Sequence, residues 1–184
     1  MTLSKDQSLT STATLATSLN PCTMLEQIVA AGTTLVVTVP DTHQISLLRL
    51  LADRSVPELI TTCTEDDAMG INLGLYMGGK RPMLLIQNSG FYAAMNTVRG
   101  LALDAQVPAC LLIGEFARNP RVAPAEHTMR LVHLLEPTLD TWKIPYYRLD
   151  RPEDLTRIST AMHHAWRERG PVALLVGAPT AEPL

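Results

Sequence analysis

A chain of 184 residues with 46% hydrophobic side chains is long enough for one domain with a sizeable core, and short for two. The formal net charge of -3, with no Lys/Arg block and no aromatic–basic interleaving, speaks against nucleic acid as a partner. No stretch approaches ~18 consecutive apolar residues, so no membrane-spanning helix is expected.

Residues 1–19 are rich in Ser and Thr and carry one basic residue, Lys5. They read as a flexible tail or a partner-contacting arm, neither signal peptide nor anchor, and the protein is expected to be cytoplasmic. Residues 20–184 read as a single domain. Asn20-Pro21 supplies an N-cap and a proline at the first helical position, and Gly32 ends that helix. Six short apolar runs then recur: Leu35–Val39, Leu59–Cys63, Met83–Gln87, Ala109–Gly114, Tyr146–Leu149 and Val172–Val176. They are rich in Val, Leu and Ile and mostly non-alternating, as buried parallel strands are.

Between the second and third runs, Thr64 can cap a helix, with Asp67 three residues on completing a capping box. That helix carries Gly70, Gly74, Gly78 and Gly79. Each glycine inside a helix costs roughly 1 kcal/mol relative to alanine, so a close approach by another helix or a ligand is expected on this face. Lys80-Arg81 reads as a solvated turn. From Glu115 to Pro145, four prolines and the pair Arg118 and Arg121 predict a long loop followed by one or two short helices. The last helix starts near Pro152, repeats apolar residues at Leu155, Ile158, Met162 and Trp166, and stops at Gly170-Pro171. Its His163-His164 pair lies away from the strand ends and reads as surface or interface.

The order predicts an α/β fold: a three-layer, doubly wound sheet of about six mainly parallel strands, with flavodoxin-like layering. Of Cys22, Cys63 and Cys110, the last two fall in apolar runs, and all are expected as reduced, buried thiols. No Cys or His spacing suggests a metal site.

Ligands of such sheets bind beyond the carboxyl ends of the strands. That rule selects Val39-Pro40-Asp41-Thr42-His43, Thr64-Glu65-Asp66-Asp67, Asn88-Ser89-Gly90, and Glu115 with the arginine-bearing loop. Asp66 and Asp67 are explained as acids at the positive end of a helix dipole. Glu65 stands directly after a buried strand, where active sites form.

The run TEDDAMGINLGLYMGGKRPMLLIQNSG resembles the pyrimidine-binding (Pyr) domain of thiamine-diphosphate enzymes. It is most similar to the sulfopyruvate decarboxylase α subunits and phosphonopyruvate decarboxylases. The VPDT of Val39–Thr42, the QNSG of Gln87–Gly90, the pair Glu126-His127 and the segment Trp142–Leu149 agree in order. The likeness covers about Pro21 to Gly177.

The resemblance implies a thiamine-diphosphate-dependent carbon–carbon lyase acting on a small 2-oxo acid, with Glu65 exchanging a proton with N1′ of the aminopyrimidine. It places Asn88, Ser89 and Gly90 at the cofactor, and Asp41, Thr42, His43 and Arg118 at the substrate. His127 would steer protons. Asp41-Thr42 can equally cap the next helix, and His127 can equally be an exposed loop residue. The chain has no Gly-Asp-Gly. In that family this motif and a downstream Asn hold the diphosphate and Mg2+, so a separate β subunit is expected to supply them. Self-association through the glycine-lined helix is also expected. GEFARNPRVAPAEH departs from the sulfopyruvate pattern, so a different 2-oxo acid, or a carboligase reaction, stays open. A non-catalytic Pyr-like binding or regulatory subunit and a generic flavodoxin-like binding domain are the other readings.

Overall fold

In the computed structural model, which describes residues 18–181, all six apolar runs become strands. They are β1 (Leu35–Thr38), β2 (Glu58–Thr61), β3 (Pro82–Gln87), β4 (Ala109–Gly114), β5 (Tyr146–Leu149) and β6 (Pro171–Val176). Every pairing is parallel, in the order β2-β1-β3-β4-β6-β5. The chain therefore steps outward from β1 to β2 and returns past it to β3. That reversal opens a crevice at the carboxyl ends of β1 and β3.

Successive side chains of a strand point to opposite faces, and here both faces are covered. Met83, Leu85, Cys110, Leu112, Leu174 and Val176 join the core beneath helices α1 (Pro21–Ala30), α2 (Ile45–Ala52) and α8 (Arg157–Glu168). Leu84, Ile86, Leu111, Ile113, Ala173 and Leu175 join the opposite core. That core lies under α3 (Glu65–Met77), α4 (Asn88–Ala93), α5 (Met95–Thr97), a π-helical turn at Val98–Asp104, α6 (Arg130–His133) and α7 (Leu135–Thr141).

The N-caps follow the sequence signals, but the expected capping box at Asp67 is only half formed, since among the described residues its carboxylate accepts nothing from the Thr64 amide. Asn20 accepts from the Cys22 amide at 2.8 Å and from Thr23, and Thr64 Oγ1 accepts from the Asp67 amide at 3.2 Å. Pro152 opens a 3-10 turn, Pro152–Thr156, and α8 proper begins five residues later than the sequence pattern placed it. A 3-10 turn at Pro124–Glu126 and the short α6 and α7 fill the proline-rich segment.

Several expectations need correction. Strand β2 is an edge strand whose residues are half-buried or exposed, and Cys63 just beyond it is exposed, as is Cys22; Cys110 is buried. Arg81 is not solvated. Its guanidinium lies 5.2 Å from the Trp166 ring centroid and beneath Gly32 at the carboxyl end of α1, where a cation meets the helix dipole. Leu19, placed in the tail by sequence, is fully buried and bridges to Thr180, while residues 1–17 lie outside the described residues. No helix among the described residues is long and apolar enough to cross a membrane.

Candidate functional site at the carboxyl ends of the strands

Glu65 is the first residue of α3, half-buried, and its side chain runs across to the start of α4. A Cβ on Gly90 would stand far inside van der Waals contact with Oε1, Cδ and Cγ of Glu65. Glycine at 90 is thus the condition for the carboxylate to lie there. Among the described residues that carboxylate takes part in no hydrogen bond or ion pair, whereas its neighbour Asp66 accepts from Thr97 Oγ1. All three acids stand in the first turn of α3, at the positive end of its dipole, and Glu65 is the one whose side chain lies against Gly90.

Around Glu65 the strand ends form a polar chain. Gln87, the last residue of β3, donates through Nε2 to Asp41 Oδ1 at 3.0 Å and accepts from Ser89 Oγ at 2.7 Å. Asp41 is buried, accepts from the His43 amide at 2.9 Å and from Gln44 Nε2 at 3.2 Å, and packs against Gly114, which has no Cβ to obstruct it. Asp41 therefore caps the 3-10 turn Thr42–Gln44 and joins the ends of β1, β3 and β4. Thr42 and Ser89 remain exposed beside it.

The other sequence candidates are placed differently. His43 is turned inward, with its Nε2 2.9 Å from the Val176 carbonyl at the end of β6. Burial holds its pKa below the ordinary value against the opposing charge of Asp41, so the neutral ring donates to that carbonyl. Asn88 is fully buried and donates to the carbonyls of Phe116, at 3.3 Å, and Leu131. It ties the loop after β4 to the start of α4. His127 sets Nε2 and Nδ1 3.2 and 3.3 Å from the amides of Asn119 and Met129. A neutral imidazole has one acceptor nitrogen, so the ring pins its own loop through one of these at a time. His163 contacts Ser159 within α8, and His164 meets Tyr147 of β5, so neither reaches the carboxyl ends of the strands.

Arg118 is the largest correction. Its side chain is only 4% exposed and bonds Glu115 at 2.8 Å, with Asp150 at 3.5 Å. Arg148, from β5, reaches Glu115 at 2.6 Å, Glu136 at 2.6 Å and Asp150 at 2.7 Å. Gly177 again makes room, since a Cβ there would strike Asp150. Glu115 is the hub of this cluster and was only a position by sequence. Its signal was an acid directly after a buried strand with arginine three residues on.

Burial pushes Glu115 up to about 7, a rise that Arg148 opposes, Asp150 reinforces and His127 opposes. The unfolded carboxyl sits near 4.5. A folded pKa above the unfolded one means the native state holds the proton through the interval between them, so stability is lost as pH rises from about 4.5 to about 7. The Glu115 share is about 3 kcal/mol over that window. Urea titrations from pH 5 to 8 are expected to show that loss in the native chain and a flatter profile in Glu115→Gln; equal slopes would contradict it.

A cavity of about 390 Å3 lies along β5, lined by Tyr147, Arg148, Asp150 and Arg151 among others, at the opposite edge of the sheet from β2. The Glu65 region lies at the other end of the sheet order, with the Gln87 amide, the Ser89 hydroxyl and Gly90 beyond the end of β3.

No family model matches the chain. Curated relatives do. The sulfopyruvate decarboxylase subunit alpha of Methanocaldococcus jannaschii is 31% identical over 141 residues, 76% of this chain and 82% of that protein. The subunit of the same name from Methanococcus maripaludis is 26% identical over 152 residues, 82% of this chain and 90% of that protein. Among solved structures, an enzyme of Mycobacterium smegmatis assigned as thiamin diphosphate-dependent superposes with a TM-score of 0.65 at 18% identity. That match covers 92% of this chain and 34% of the other, so the chain spans about a third of its length and shares its fold. Identity of this extent over most of both chains, on this fold, decides membership: the chain belongs to the family of sulfopyruvate decarboxylase α subunits.

Proposed function

We propose that the chain is the Pyr-type α subunit of a split thiamine-diphosphate-dependent 2-oxo-acid decarboxylase, formed by residues 20–184. The observation that carries this reading is Glu65: a half-buried carboxylate in no hydrogen bond or ion pair among the described residues, seated on Gly90 beyond the sheet. A carboxyl so placed fits a heteroaromatic ring nitrogen that exchanges a proton with it. Thiamine diphosphate, when bound, supplies the electron sink for loss of carbon dioxide from a 2-oxo acid.

Glu65 would hold a proton at its Oε atoms, available for exchange with the ring nitrogen of a bound aminopyrimidine. Gly90 keeps that carboxylate in place, and Ser89 and Gln87 offer a hydroxyl and an amide beside it. Asp41 orders the ends of β1, β3 and β4 under these groups. Asn88, His43, His127 and Arg118 act by shaping the edge. A partner β subunit carrying Gly-Asp-Gly and a downstream Asn holds the diphosphate and Mg2+, in keeping with the subunit names of the relatives. The open face of α3, where Cβ atoms on Gly70 and Gly74 would meet nothing within 4 Å and Met77 is exposed, is free for that partner or a second copy.

The test is carbon dioxide release from 2-oxo acids by the full chain mixed with its Gly-Asp-Gly subunit, thiamine diphosphate and Mg2+. Turnover that requires both chains supports the reading. Turnover by this chain alone, or none in the mixture, contradicts it.

A further inference from the structure

Resting on that reading, we infer that Arg148, on β5, is a positioning residue for Glu65: it holds the two carbonyls from which the start of α4 hangs. Asn88 opens α4, and its Nδ2 donates to the Phe116 carbonyl at 3.3 Å and to the Leu131 carbonyl at 3.4 Å. Tyr92, one turn on, donates through its hydroxyl to the same Leu131 carbonyl at 3.4 Å. Gly90, between the two, is the residue against which the Glu65 carboxylate lies. The place of that carboxylate is therefore set by two acceptors from different parts of the chain. Phe116 stands in the loop after β4, and Leu131 in α6.

Arg148 joins these parts. Its Nη2 donates to Glu115, the residue before Phe116, and its Nη1 to Glu136 in α7, the helix that follows α6, both at 2.6 Å. Its Nε donates to Asp150 at 2.7 Å, so the planar group is held on three sides. Arg118 bonds Glu115 from the loop itself at 2.8 Å. Gly177, just past β6, leaves room for the junction, since a Cβ there would strike Asp150 and crowd Arg148 and Arg118. A guanidinium forked between carboxylates of two elements fixes both their spacing and their orientation, which a single ammonium does not. The links thus cross the top of the sheet from one edge to the other. They run from Arg148 on β5 through Glu115 after β4 and Asn88 after β3 to Glu65 after β2. A shift of about 1 Å in a reacting group can cost about a hundredfold in rate, so this remote bridge bears on turnover.

Glu136 is the member to test. Its side chain is 23% exposed, and its removal leaves Arg148 paired with Glu115 and Asp150, so no buried charge is stranded. Backbone hydrogen exchange is followed first, on the full chain alone. The Ala94 amide bonds the Gly90 carbonyl at 2.9 Å, and the Met24 amide, in α1 on the other face of the sheet, bonds that of Asn20 at 3.1 Å. In Glu136→Ala, exchange at Ala94 is expected to quicken about tenfold with Met24 unchanged. Glu136→Gln, which still accepts from Arg148, keeps the native rate, and Arg148→Lys, which keeps the charge and loses the fork, behaves as Glu136→Ala. The same variants are then assembled with the Gly-Asp-Gly subunit, thiamine diphosphate and Mg2+, and given the 2-oxo acid that the native pair turns over fastest. Glu136→Ala is expected to lower kcat about tenfold with KM within about twofold, and Glu136→Gln to recover most of the loss. Equal quickening at Ala94 and Met24 makes the bridge a stability device and overturns the inference. Native exchange at Ala94, or an unchanged kcat, overturns it with the decarboxylase reading left standing. A native pair that turns over no 2-oxo acid overturns both.

Discussion

Glu65→Gln is expected to lower kcat of the assembled decarboxylase by roughly a hundred- to ten-thousand-fold. Glutamine keeps the shape and the capacity to hydrogen-bond but cannot exchange a proton. Stability is expected to stay within about 0.5 kcal/mol, because the carboxylate takes part in no hydrogen bond or ion pair among the described residues. Steady-state kinetics beside urea titration checks both halves. Unchanged turnover removes Glu65 from the chemistry, and a large loss of stability makes it structural. Gly90→Ala probes the same carboxylate from the other side. Its Cβ must displace the Glu65 side chain, which is half-buried and free to swing, so activity falls much further than stability.

Arg148→Met is expected to destabilise the chain by about 3–5 kcal/mol at pH 8. Arg148 and Arg118 face three carboxylates, Glu115, Glu136 and Asp150. Removing one guanidinium leaves Glu115 buried with a single partner and packs unbalanced acids together. The loss is smaller at pH 5, where Glu115, titrating at about 7 in the folded chain, carries its proton. Methionine retains most of the apolar stem, so a loss of packing is not the main cost. Urea unfolding at the two pH values measures the effect. A change under about 1 kcal/mol at pH 8 would show that the cluster is no more than a surface ion-pair network.

The fold was legible because parallel strands buried on both faces write themselves as short, unbroken apolar runs, and all six were found within a residue or two. Cys63 misled because β2 is an edge strand, and composition alone does not distinguish an edge from the middle of a sheet. Glu65 could be picked out because it opens the helix directly beyond the carboxyl end of β2 and because the resemblance gives that position a role. His43, Asn88 and Arg118 were drawn toward the site by position along the chain. Whether such a side chain faces a ligand or the protein is decided by residues far away in sequence: the Val176 carbonyl for His43, the Phe116 and Leu131 carbonyls for Asn88, and Arg148 with Glu115 for the fate of Arg118. Arg81 was misread for the same reason, since Trp166 on a distant helix provides its cover.

The central claim is a cofactor site divided between two chains. Titration calorimetry of thiamine diphosphate with Mg2+ into this chain, into its Gly-Asp-Gly subunit and into the two together tests it most directly. The account predicts a saturable heat in the mixture, weakened by Glu65→Gln, and none from this chain alone. Tight binding by this chain alone, or no binding in the mixture, would contradict it.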